Sequence, residues 1–174
     1  MKILVLNGSP RKGNTLTAIN ALCEGAAVRN QVEIIDAYKV NVGQCVACDA
    51  CECKNGCVAE DDTNSVIDKI VDADMIVVAS PVYSWGITAR VKIIIEKCYC
   101  RDQQVKGKKL GVIIVGADVI DNDQYRIIRE QFGCMAEYMK WETVFYKSYS
   151  ASGVSDLAAD NEAVSELKSI GLSL

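Results

Sequence analysis

Five of the chain's nine cysteines fall within thirteen positions, in the stretch CVACDACECKNGC at 45–57. Cys45, Cys48, Cys51 and Cys57 have the spacing C-x2-C-x2-C-x5-C, compact enough for one loop to wrap a metal group. Four thiolates can ligate a [4Fe-4S] cluster. They can also hold zinc, although a structural zinc site usually presents two separated C-x2-C arms. A disulfide or free thiols are the remaining alternatives, and Cys53 is the spare. Cys23, Cys98 and Cys134 read as core residues. Cys98 and Cys100 are two apart on an expected helix, so they face different directions and make no metal pair. Asp61 and Asp62, just beyond the cysteines, read as a helix cap. The chain contains no histidine, which removes the usual general base, a Ser-His-Asp arrangement and most catalytic zinc sites. Chemistry must come from cysteines, carboxylates or a bound cofactor.

Two further stretches carry binding chemistry. NGSPRKGNT, residues 7–15, follows a short apolar run and opens a helix, where backbone N–H groups point at an anion. Gly8 and Gly13 permit close approach, Ser9, Asn14 and Thr15 add donors, and Arg11 and Lys12 bring positive charge. The spacing of Gly8, Gly13 and Thr15 copies the nucleotide-binding P-loop, but Asn14 stands where that loop needs lysine. A nucleoside triphosphate is therefore disfavoured, and a single terminal phosphate such as that of FMN fits. SPVYSWG, residues 80–86, follows another apolar run. Tyr83 and Trp85 offer aromatic faces, while Ser80, Ser84 and the N–H groups near Gly86 suit the polar edge of a flat heterocycle.

The elements that must hold these loops alternate along the chain. Strands are expected at 2–7, 31–37, 74–80, 109–117 and 141–149, from short apolar runs. Helical spacing follows each: Leu16 to Ala27, Val66 to Val71 with Asp62 or Thr63 as cap, Ile87 to Cys98, Ile128 to Met139, and Leu157 to Leu174. Strands apolar on both faces imply a parallel sheet covered by helices on both sides. In such folds ligands lie beyond the carboxyl ends of the strands, which brings loops one and three together. Residues 1–174 are expected to form one domain, irregular only at about 38–62.

With 19 Lys and Arg against 23 Asp and Glu, the net charge is -4 and no basic block stands out, which argues against nucleic acid. The longest apolar runs are too short to span a membrane, and MKILVLNGSP is too short for a signal peptide. A cytoplasmic protein is expected.

These residues resemble the NADPH-dependent FMN reductase family of flavodoxin-like proteins and, within it, the iron-sulfur flavoproteins. NGSPRKGNT is similar to the family's FMN-phosphate loop, DADMIVVASPVYSWG to its flavin-ring strand and loop, and CVACDACECKNGCVAEDD to its cysteine segment. The resemblance implies strand order 2-1-3-4-5, noncovalent FMN, and a homodimer or homotetramer in which a neighbouring subunit helps close the flavin site. It assigns phosphate contacts to Ser9, Arg11, Asn14 and Thr15, and flavin-ring contacts to Ser80, Pro81, Val82, Tyr83, Ser84, Trp85 and Gly86. The cysteine spacing resembles the [4Fe-4S] motif of iron-sulfur flavoproteins, and relatives without a cluster share it. Lys92 falls at a lysine position of the family, Glu96 and Lys97 where Asp-Arg is common, and GADVIDND lacks a glycine pair many relatives place against the flavin.

The expected function is an FMN-dependent oxidoreductase of the NAD(P)H-dependent FMN or quinone reductase type. Its electron donor and acceptor would be small molecules or proteins. The alternatives are an iron-sulfur flavoprotein electron carrier and a non-enzymatic module using the cysteines structurally. No protein acid or base is expected, because FMN carries the chemistry and N–H groups of 80–86 would stabilise the reduced ring.

Overall fold

Leu4 and Leu6 of the first strand pack into one core, while Ile3 and Val5 pack into another. This follows from the two-residue period of a strand: an unbroken apolar run has two faces to bury. The computed structural model describes the backbone of residues 1–174 and every side chain except that of Lys54. The elements are β1 (Lys2–Asn7), α1 (Asn14–Ala26), β2 (Gln31–Asp36), α2 (Cys51–Lys54), α3 (Thr63–Asp72), β3 (Met75–Pro81) and α4 (Ala89–Lys97). A 3-10 turn at Cys98–Arg101 leads to α5 (Asp102–Val105), β4 (Lys109–Gly116), α6 (Asp123–Met139), β5 (Glu142–Ser150), α7 (Asp156–Ala159) and α8 (Asn161–Ser173).

All five strands are parallel, in the order β2-β1-β3-β4-β5, as the resemblance implied. Helices α3, α4 and α6 cover one face, through Val66, Ile70, Ile94, Ile128 and Phe132. The other face is covered by α1 and α8, through Ile19, Leu22 and Leu167. Each fully buried isoleucine or leucine contributes about 1.5–3 kcal/mol. The register sets Asn7 beside Ala79, so the chains leaving β1 and β3 start side by side at the switch point.

Some expectations need correction. Ala27 is exposed beyond the end of α1, and Cys134 is exposed on the outer side of α6, two positions from buried Phe132. The final helix is broken at Asp160, whose carboxylate caps α8 by accepting from the Ala163 N–H at 3.0 Å. Asp62 occupies the cap position of α3 but caps nothing there; Asp61 accepts from the Thr63 N–H instead, at 2.8 Å. Among the described residues, no helix is long and apolar enough to cross a membrane.

Helices α1 and α8 meet through Gly25 and Gly171. A methyl group on Gly25 would collide with the Lys168 carbonyl oxygen, and one on Gly171 with that of Leu22. Helix-interior glycine costs roughly 1 kcal/mol relative to alanine, so close backbone packing must offset that loss. Gly25→Ala is therefore expected to lower stability by about 1–3 kcal/mol in urea denaturation. An increase would mean that the two helices can separate without penalty.

Candidate functional site: a phosphate cleft and a cysteine cavity

A knot of short hydrogen bonds ties the first and third loops together. The Gly8 N–H donates to Ala79 O at 2.8 Å, and the Thr88 hydroxyl donates to Gly8 O at 2.9 Å. A side chain at Gly8 would lie 2.7 Å from Val91 Cγ2 and 2.9 Å from Thr88 Oγ1, so only glycine lets the loop approach α4 this closely. Ser80 belongs to this knot rather than to a ligand surface. It is fully buried, its hydroxyl donates to Pro81 O at 2.8 Å, and its oxygen accepts from the Thr88 N–H at 3.0 Å.

Beside the knot, a cleft of about 160 Å³ collects residues from four strand ends. Ser9, Arg11, Asn14 and Thr15 line one side, and Pro81, Val82 and Tyr83 another. Helix α1 begins at Gly13 with no side-chain cap, so its first N–H groups are available to an anion, with exposed Arg11 nearby. Ser9 shapes the turn: its oxygen accepts from the Arg11 N–H at 3.2 Å, and its own N–H donates to Asn7 Oδ1 at 3.0 Å.

Two further expected contacts are held by bonds within the protein, the Asn14 side chain and the 83–86 turn. Asn14 is engaged with the loop after β5, where its amide donates to Gly153 O at 2.6 Å and its oxygen accepts from the Leu157 N–H at 3.1 Å. It staples two loops at the edge of the cleft that it also lines. Ser84, Trp85 and Gly86 lie outside the cleft lining, in a tight turn closed by reciprocal bonds between Tyr83 and Gly86. Ser84 and Trp85 both have positive φ, 49° and 59°, which marks a primed turn and costs on the order of 1–3 kcal/mol per non-glycine residue. The N–H groups of Tyr83 and Gly86 are thereby paired and that of Val82 donates to Val115 O at 2.9 Å, leaving those of Ser84 and Trp85 outside these bonds.

The cleft also holds residues that the motifs did not identify. Gly116 ends β4 and Ala117 follows it, while Ala151, Ser152, Gly153 and Val154 follow β5. The small-residue run ASG after the last strand was the available signal, because every strand in a parallel sheet ends on the ligand side.

The cysteines form a separate cavity of about 260 Å³. Cys45, Cys48, Cys51 and Cys57 all line it, together with Lys97 from α4 and Cys100 from the 3-10 turn. Cys53 faces a different groove, beside Tyr99 and Arg101. The loop is closed by the Asn41 N–H donating to Asp62 Oδ2 at 2.7 Å and the Gly43 N–H donating to Asp61 Oδ2 at 2.9 Å. Asn64 grips Cys57 at both backbone groups, accepting from its N–H at 2.9 Å and donating to its carbonyl at 2.8 Å.

Ala47 and Asp49 have positive φ, 51° and 53°, while the residues around them do not. Such alternation of hand curls N–H groups into a concave path of the kind found at phosphate and iron-sulfur sites. Among the described residues, no three cysteine, aspartate or glutamate side chains converge closely enough for a single metal ion. A [4Fe-4S] group holds each thiolate at a separate iron, so its four ligands line a cavity, as Cys45, Cys48, Cys51 and Cys57 do here.

Burial, with Cys48, Asp49 and Cys57 nearby, raises the Cys51 thiol above its ordinary pKa. Burial followed by neighbouring Cys57 does the same for Cys100. Cys98 faces the core instead, where burial pushes its pKa to about 12. Half-buried Cys23, raised by burial to about 11, packs beside the α1 core. The loop staple gives a direct test. Asn14→Ala leaves backbone groups of residues 153 and 157 without their partner, so amide exchange at Leu157 should rise and stability fall by about 1–3 kcal/mol. Unchanged exchange would show that the staple does not hold the loop.

An iron-sulfur flavoprotein of Archaeoglobus fulgidus is 37% identical over 98 residues, covering 56% of this chain and 48% of that protein. An iron-sulfur flavoprotein of Methanocaldococcus jannaschii is 31% identical over 124 residues, covering 67% of this chain and 63% of that protein. The chain thus spans about half to two thirds of the length of these relatives. A flavone reductase structure superposes with a TM-score of 0.74 at 20% identity, covering 99% of this chain and 61% of that one, which establishes likeness of fold. The model of the family described as NADPH-dependent FMN reductase matches residues 1–126, and the chain belongs to that family.

Proposed function

We propose that this protein is an FMN-dependent oxidoreductase that also carries a [4Fe-4S] group on Cys45, Cys48, Cys51 and Cys57. The observation supporting the flavin reading is the cleft where an uncapped helix start, Arg11 and Thr15 face Pro81, Val82 and Tyr83. FMN, when bound, supplies transfer of a hydride or of single electrons. Arg11 and the first N–H groups of α1 hold the phosphate. Tyr83 and the tip of the 83–86 turn face the ring, where the N–H groups of Ser84 and Trp85 are the available donors. NAD(P)H is the proposed donor for the flavin, as the family description suggests, with a flavin, quinone or protein as acceptor.

The cleft's volume of about 160 Å³ suits a phosphate and the chain attached to it. Whole cofactor pockets run to roughly 300–1,000 Å³. Tyr83 and Trp85 remain exposed beside the cleft, Trp85 by 62%. A second copy of the chain covering this aromatic surface would complete the ring site, which supports a homo-oligomer.

The phosphate contact can be measured directly. Charge-assisted hydrogen bonds contribute about 1.5–3 kcal/mol each, so FMN should bind the apoprotein at least about 100-fold more tightly than riboflavin. Arg11→Ala should weaken FMN about tenfold by the same reasoning. Equal affinity for FMN and riboflavin would remove the cleft as the phosphate site.

The cluster reading is supported by four thiols around one cavity, and the group, when bound, supplies single-electron transfer. Protein purified anaerobically should contain iron and acid-labile sulfide, and Cys48→Ser should lose both while retaining FMN. Absence of iron and sulfide from a protein that binds FMN would leave the NAD(P)H-dependent reductase whose cysteines serve only the loop.

A further inference from the structure

Lys97 is the last residue of α4 and is 5% exposed. Burying an ammonium group is costly unless an anion or a strong acceptor meets it. The side-chain hydrogen bond that Lys97 makes runs from Nζ to Cys57 Sγ, at 3.4 Å. Asp61 is close enough to be influenced by the lysine's charge. Its oxygens, however, accept from the N–H groups of Gly43 and Thr63, at 2.9 and 2.8 Å. The direct partner of the buried cation is therefore a sulfur.

Cys57 also differs from the other three thiols in how it is held. Asn64 fixes its backbone N–H and carbonyl, and Lys97 meets its sulfur from the opposite element. A donor aimed at a ligand sulfur disperses the charge that the metal group gains on reduction, and this is one of the levers that set cluster potentials.

We infer that Lys97 is a positioning residue that donates to Cys57 Sγ and raises the reduction potential of the iron-sulfur group ligated there. This rests on the reading that the four cysteines hold such a group. When one electron enters, the group becomes more negative by one charge, and a nearby cation stabilises that state over the oxidised one. Removing the cation makes reduction harder. The same contact gives α4 a role at both ends: Thr88, before its first residue, bonds the phosphate loop, and its last residue bonds a cluster ligand. Nine residues of helical rise separate these contacts by roughly 14 Å.

The test uses the anaerobic holoprotein with both groups bound. Iron and sulfide are assayed first, and the cluster is then titrated with dithionite in the presence of redox dyes, followed by electron paramagnetic resonance. Lys97→Met should retain iron and shift the one-electron equilibrium toward the oxidised state about tenfold, equivalent to about 59 mV. Lys97→Arg should restore most of the potential. Lys97→Gln, which keeps a donor but no charge, should fall between them. The Arg and Gln variants carry the comparison if the Met variant does not hold iron.

Equal iron content and equal potential in wild type and the variants would overturn the role of Lys97 while leaving the cluster reading intact. Wild-type protein without iron or sulfide would overturn both.

Discussion

The approach of Gly8 to the start of α4 is the contact on which the strand-end cleft depends. Its N–H and carbonyl are bonded to β3 and to Thr88, and a side chain there would strike Val91 and Thr88. Thr88 is in turn bonded to Ser80. One backbone position thus fixes the phosphate loop, the end of β3 and the entry into α4 relative to one another. Because these groups are buried, breaking any bond strands a polar group away from water, which makes the arrangement rigid. The primed turn at Ser84 and Trp85 rises from this base. Its unfavourable backbone angles are tolerated because both ends are held.

The cysteine loop relies on a different kind of support. It has little regular structure, and its shape comes from side chains of the segment entering α3. Asp61, Asp62 and Asn64 bond backbone groups at Thr63, Gly43, Asn41 and Cys57. Cys51 and Cys57 pack against the core beneath α3 and α4, while Cys45 and Cys48 are exposed. Two thiols are thus anchored and two sit on a rim. Helix α4 joins this half of the molecule to the strand-end cleft, with Thr88 at one end and Lys97 at the other.

Much of this was legible in the residues. The loop at 7–15, the aromatic loop at 80–86 and the four cysteines stood out because each motif is local: a few neighbouring positions supply the turn, the donors or the thiols. Harder to read was how each side chain is used. Ser80 looked like a ligand contact because it begins an exposed loop, yet the register of β3 points it inward. Asn14 looked like a phosphate donor because it opens a helix, but its partners lie across the fold after β5. Gly116 and the 151–154 run carried no motif and entered the cleft only because their strands end there.

What the sequence by itself determined was the alternation of apolar strands and amphipathic helices, and with it a parallel sheet covered on both faces. That information is periodic and local, so it survives without coordinates. The tertiary structure decided the pairings between distant residues. The Lys97–Cys57 contact joins positions 40 apart, and the bond from the Leu157 N–H to Asn14 joins positions 143 apart. A hydrogen bond needs its atoms within about 3.5 Å or less, and no spacing along the chain encodes such proximity until the sheet has set the strands in register.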